Sequence, residues 1–149
     1  MLKEILLELY ERDLGKLRGE IEAYSNEADI WKTGGDITNP AGNLCLHLSG
    51  NLQHFFGAVI GGDGYVRDRD AEFASRNVSR EELLNSIDAA LVSVRSTLEK
   101  MSDDDFAATY PIEVFGGPIT TGFFLTHLAT HLTWHLGQIN YHRRLLAAI

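Results

Sequence analysis

The sequence predicts an all-α protein, a four-helix bundle formed as a single domain over residues 1–149. Three observations carry this reading. Four long stretches repeat apolar residues at three- and four-residue steps, the period of a helix that buries one face. Capping and glycine signals mark where these stretches start and stop. A chain of 149 residues with 44% hydrophobic content suits one domain whose core needs no disulfide.

The first helix is expected over residues 2–28, where Leu2, Ile5, Leu6, Leu9, Leu14, Leu17 and Ile21 recur with charges between them. Trp31 to Asn39 holds two glycines and no periodicity, so it reads as a loop. Asn39-Pro40 predicts a helix start, with Asn as cap and Pro in the first turn. This second helix should stop at Gly61-Gly62. Residues 63–78 are polar and too long for a tight turn. Ser79 and Glu82 form an S-x-x-E capping box, opening a third helix with Leu83, Leu84, Ile87, Leu91, Val94 and Leu98 on its apolar face. Residues 102–118 hold acids, two prolines and a Gly-Gly pair, with a short extended segment expected over Tyr110 to Phe115. The fourth helix is expected from Thr120 to Leu146. Four such helices make a bundle the simplest architecture. A connection of roughly 16 residues can run the length of a helix, so helices two and three can lie parallel with a crossover between them.

Charge and cysteine usage narrow the function. A net charge of −8 argues against nucleic acid or an anionic membrane as partner. The single Cys45 rules out an internal disulfide and a cysteine-rich zinc site. The N-terminal stretch carries acids every few positions, unlike a signal peptide. No run of about 18 apolar residues suggests a membrane span, so a cytoplasmic protein is expected.

The chemistry concentrates on the fourth helix. At about 100° per residue, His127, His135, Gln138 and His142 all fall within about 40° of His131. Leu128, Leu132, Leu136 and Ile139 flank this stripe on one side, and Phe123, Trp134 and Tyr141 on the other. The stripe should therefore point into the bundle. On the second helix Asn51 and His54 share a line with His47. Buried histidines without partners are costly, and a lone one is usually a hydrogen-bonded core residue. Two facing lines of them point instead to a divalent metal, for which neutral imidazole is a good ligand. A pair at i and i+4, such as His131 and His135, can grip one ion, and a third ligand from another helix leaves a position open. Cys45 lies about 160° from His47 around the helix and reads as a packed small residue.

The motifs H-L-S-G-N-L at 47–52 and H-x-x-x-H-x-G-Q at 131–138, with the Arg67-Asp68-Arg69-Asp70-Ala71-Glu72-Phe73 stretch, resemble the DinB-like (YfiT-like) superfamily over nearly the whole chain. The resemblance implies an up-down-down-up four-helix bundle with a long crossover between helices two and three, often dimeric, holding one metal. It implies His47, His131 and His135 as the metal ligands, and zinc or nickel as the ion. It further implies a low-molecular-weight thiol as cofactor, since relatives include bacillithiol and glutathione S-transferases and a mycothiol-dependent isomerase. An electrophile would then be the second substrate. Asn51, His54, His127 and Gln138 are the candidates for orienting ligands or moving protons around the ion. A metal-dependent hydrolase, a non-catalytic metal binder and a plain bundle with hydrogen-bonded histidines are the competing readings.

Overall fold

The computed structural model describes residues 1–146, so the last three residues of the expected domain, 147–149, lie outside the described residues. Helix α1 (Leu2–Ala23) buries Leu6, Tyr10, Leu14, Leu17 and Ile21 along one face. It ends five residues before the expected residue 28, because Ser25 and Asn26 interrupt it. The Asn26 side chain accepts from Ala28 N at 3.1 Å and opens a 3-10 turn over Glu27–Trp31. Such local side-chain bonds compete with helix continuation. Trp31 ends this turn and lies over Gly42, where a methyl group would come within 2.7 Å of the indole. Its ring N–H donates to Val78 O at 3.2 Å.

Helix α2 (Ala41–Leu52) starts one residue later than expected. Pro40 keeps an extended ψ of 166° and is itself the cap; its carbonyl accepts from Leu44 N at 3.2 Å. The chain then widens into a π-helix over Gln53–Ile60 and stops at Gly61-Gly62, Gly62 taking the left-handed φ of +61° that glycine permits. Side chains hold the carbonyls of this wide turn: Tyr110 Oη donates to Phe55 O at 2.7 Å, and Thr97 Oγ1 to Phe56 O at 3.1 Å.

The 63–78 connection contains a short helix, α3 (Arg69–Ala74), capped by Asp68, which accepts from Ala71 N. Helix α4 (Arg80–Lys100) opens on the predicted Ser79–Glu82 box. A second box, Ser102 with Asp105, starts a short helix, α5 (Asp103–Ala107), within the acidic, proline-containing stretch that shows no helical periodicity. No strand forms over residues 110–115; the extended geometry is limited to an isolated bridge between Thr109 and Thr120. Pro111 has no N–H with which to extend that pairing. Helix α6 (Thr121–Leu146) closes the described chain. Among the described residues the fold is all-helical, and no helix is long and apolar enough to cross a membrane.

Helix α1 packs against α4 and α6, and α2 packs against the same two. Cross-helix bonds give the directions. Arg18 meets Asp88 and Arg95 meets Glu11, so α1 and α4 run oppositely. Asp13 meets Thr133 and Glu20 meets Asn140, so α1 and α6 run together. Ser49 meets Ser86 and Phe56 meets Thr97, so α2 with its continuation runs along α4. His47 meets His131 and Phe55 meets Phe124, so α2 runs against α6. The core between them is aliphatic and aromatic, with Tyr10, Leu48, Phe56, Leu83, Ile87 and Leu98 nearly inaccessible.

Candidate metal site

Where α2 crosses α6, three histidines converge. His47 comes from α2; His131 and His135, one turn apart, come from α6. One ring nitrogen from each lies within 4.8 Å of the others, an arrangement that could hold a metal ion. His47 Nε2 and His131 Nε2 stand 3.2 Å apart. Two nitrogens bound tetrahedrally to zinc stand roughly 3.4 Å apart, so this pair is already near ligating distance. The rings pack edge to face, His47 against both others and His131 against His135.

The outer ring nitrogens decide which atoms face the centre. His47 Nδ1 lies 3.1 Å from Glu72 Oε1. Arg67 Nη2, which only donates, lies 3.3 Å from the same nitrogen; the carboxylate only accepts and is the shorter contact, so the proton sits on Nδ1 and the Nε2 lone pair faces inward. His135 Nδ1 lies 2.7 Å from Gln138 Oε1, which leaves its Nε2 free in the same way. His131 differs: its Nδ1 is buried with no partner. Burial, reinforced by the neighbouring histidines, pushes its pKa down to about 4. Burial also lowers His135, against the opposing effect of Gln138. The two α6 histidines thus favour the neutral form, the form in which imidazole ligates a metal. His47 Nε2 and His131 Nε2, 3.2 Å apart, can share either one proton or one cation, and a cation is what the three-imidazole donor set fits.

Glu72 joins the site although no helical spacing predicts it there. It is only 6% exposed. Burial raises its pKa, but bonds from His47 and Arg67 outweigh that and hold it below the usual carboxylate range. Arg67 grips both carboxylate oxygens at 2.9 Å. The run of arginines and acids over residues 67–72 stands out in the sequence, but no spacing rule connects Glu72 to His47, 25 residues earlier.

The remaining predicted residues separate. Asn51 is buried and its Oδ1 has no partner. His54 is half-buried against Phe55, about two turns from His47 and beyond reach of the cluster. His127 is exposed, its ring edge-on to Phe115 and stacked on Phe124. Gln138 is exposed apart from its bond to His135. His142 is buried but faces Tyr24 and Lys32, away from the cluster.

The stripe therefore does not point wholly inward. Leu128, Leu132, Leu136 and Ile139 are buried as expected, but Phe123, Trp134 and Tyr141 on its other side are 60–70% exposed. The polar line sits at the rim of the core, because α2 covers only one side of it. Cys45 is fully buried in the core with its thiol pushed up to about 12 by burial, as a packed residue should be. No curated protein matches the sequence. A family model does match, over residues 11–148, nearly the whole chain, and the protein belongs to that family, described as a protein of unknown function (DUF1572).

Proposed function

We propose that this DUF1572 protein is a DinB-like, up-down-down-up four-helix bundle that holds one divalent metal, zinc or nickel, through His47, His131 and His135, and uses it on a small molecule. The observation that carries the reading is the arrangement of proton positions: oxygen acceptors on the outer nitrogens of His47 and His135 leave their inner lone pairs facing one point. Such outer partners are what ligating histidines normally have. The pairwise packing and directions of α1, α2, α4 and α6 support the bundle topology. The family match, spanning both histidine motifs, supports the DinB-like assignment.

Three protein ligands leave room for an exogenous group. A bound divalent ion would lower the pKa of a thiol and present its sulfur as thiolate. The chain's own residues supply the rest. A cavity of about 380 Å³ opens beside His135, lined by Leu44, Ile37, Tyr141, Gln138 and Asp36 among others. It offers apolar walls for a substrate and no Lys or Arg among its described lining. This favours a thiol or electrophile with few free carboxylates. Asn51 Oδ1, buried and unbonded, is an acceptor waiting for an N–H, O–H or S–H donor. We read the activity as thiol transfer to an electrophile. The exposed Phe123, Trp134 and Tyr141 along α6 support a homodimer, since aromatic stripes of this kind mark protein contacts.

The test is elemental analysis of purified protein, followed by cobalt loading and titration with glutathione, bacillithiol and mycothiol. Wild type should bind one ion, and His131→Ala should lose it. A thiol that binds should add a sulfur charge-transfer band near the ultraviolet. A His131→Ala variant with full metal content would refute the ligand set. Silence from all three thiols, in both spectrum and turnover, would refute the transferase reading for these cofactors.

A further inference from the structure

We infer that Glu72 is a positioning residue for His47, and that Gly50 and Arg67 seat its carboxylate against that imidazole. The inference rests on the metal reading above and names the machinery behind one of its ligands. A carboxylate with 6% exposure is costly to bury and is tolerated when paired and hydrogen-bonded. Here it is fully engaged: Oε1 accepts from His47 Nδ1 and from an Arg67 terminal nitrogen, and Oε2 accepts from Arg67 Nε. A buried ionic group of this kind seldom adds net stability over apolar packing. What it does fix here is the imidazole, holding the proton on Nδ1 and so the lone pair on Nε2.

The backbone is shaped around this contact. Gly50 lies inside α2, one turn after His47, where glycine costs helix stability relative to alanine. A methyl group there would overlap Glu72 Oε2 and come within 2.8 Å of Cδ. Glycine at this position is what lets the carboxylate lie flat on the helix. Helix α3 is fastened independently of the Glu72 side chain. Asn43, fully buried, donates to Glu72 O at 2.9 Å and Ser75 O at 2.8 Å, and Arg76 donates back to Asn43 Oδ1 at 2.9 Å. Phe73 then packs on the His47 ring, centroids 4.8 Å apart. The connection between α2 and α4 is therefore part of the site. The three imidazoles differ in outer support: an anion behind His47, a neutral amide behind His135, and nothing behind His131.

The experiment compares wild type with Glu72→Leu, which removes the acceptor but keeps the volume, and Gly50→Ala on two readouts. The first is the His47 tautomer in metal-free protein, from long-range proton–nitrogen NMR. The second is zinc affinity, by competition with a chromophoric chelator. Wild type should show His47 as the Nδ1–H tautomer. Both variants should lose that pure state and bind zinc about 10–100-fold more weakly, the usual cost of removing such a partner. Because α3 is held by Asn43 and Arg76, Glu72→Leu should keep its helical content. Should it not fold, Glu72→Asp, which keeps the charge but withdraws it by one methylene, carries the same readouts. An unchanged tautomer with unchanged zinc affinity overturns the inference, and so does a lowered melting temperature with neither readout moved. If wild type binds no zinc, the metal reading falls, while the tautomer comparison still decides the role of Glu72.

Discussion

His142 shows how one helical stripe can divide between two tasks. It shares a line with His131 and His135, yet its Nε2 lies 2.8 Å from the Lys32 carbonyl and its Nδ1 lies 2.6 Å from Tyr24 Oη. A carbonyl only accepts, so Nε2 carries the proton and Nδ1 takes the Tyr24 hydroxyl's. The ring is a satisfied, buried tie between α6 and the segment after α1. Replacing it by Phe keeps the volume and strands both partners. His142→Phe should lose about 1–3 kcal/mol of stability, the cost of an unsatisfied buried polar group, read as a lower melting temperature, while metal content stays at the wild-type level. At this scale helical spacing sets direction but not depth. Helical spacing put His127 beside His131, but it could not foresee that Phe115, from the loop before α6, would pack on His127. It likewise offered no sign that Glu72 would reach His47, because that contact depends on a fold of the 63–78 segment.

At the scale of elements, the seam between α1 and α6 carries a pH dependence. Burial raises the pKa of Asp13, but bonds from Arg12 and Thr133 outweigh it and leave the group below its ordinary value. Glu20 is lowered likewise by Arg143 and Asn140 against its burial. A carboxylate depressed in the folded state contributes stability above its unfolded pKa, and that contribution is lost as pH falls through the folded value. For these two groups the loss begins near pH 4, the ordinary carboxylate range, and proceeds below it. Chemical denaturation from pH 7 down to pH 2.5 should show it, and an Asp13→Asn, Glu20→Gln double variant should be less stable at pH 7 and flatter in acid. A variant with the wild-type acid slope would show that other groups dominate. The long helices were legible because each buries a regular stripe. The short ones were not. Helix α3, six residues of which three are charged, has no stripe and is held by Asn43 and Arg76 from outside. For α5 a signal did exist, the S-x-x-D spacing of Ser102 and Asp105, a variant of the box that located α4. The widening over Gln53–Ile60 left no mark in the residue pattern, since its carbonyls are held by Thr97 and Tyr110, far along the chain.

For the whole molecule, the apolar faces of α1, α2, α4 and α6 bury a core without help from any ion. Chelation should therefore lower stability without unfolding the chain. Ligand at 100 times its dissociation constant adds about 2.7 kcal/mol, and a domain near this size shifts by about 2–4 °C per kcal/mol. A fall of roughly 5–11 °C in the melting temperature is expected on stripping the metal, with helical content kept. No shift in protein shown to have lost its metal would contradict the site. The homodimer proposed above is tested at the aromatic stripe: in sedimentation velocity wild type should run as a dimer and Trp134→Glu as a monomer, with metal content unchanged, and a monomeric wild type would refute it.

Cys45 has a practical consequence at this same scale. It is the chain's only cysteine, it is wholly inaccessible, and its thiol resists ionisation. An alkylating reagent can reach it only when α2 lifts from α4, so the labelling rate measures how often that core opens. A metal bound at the nearby histidines should slow the labelling about tenfold for each 1.4 kcal/mol it adds to the stability of that opening unit. The same inaccessibility makes the native protein its own blank: any thiolate signal that follows an added thiol comes from the added molecule.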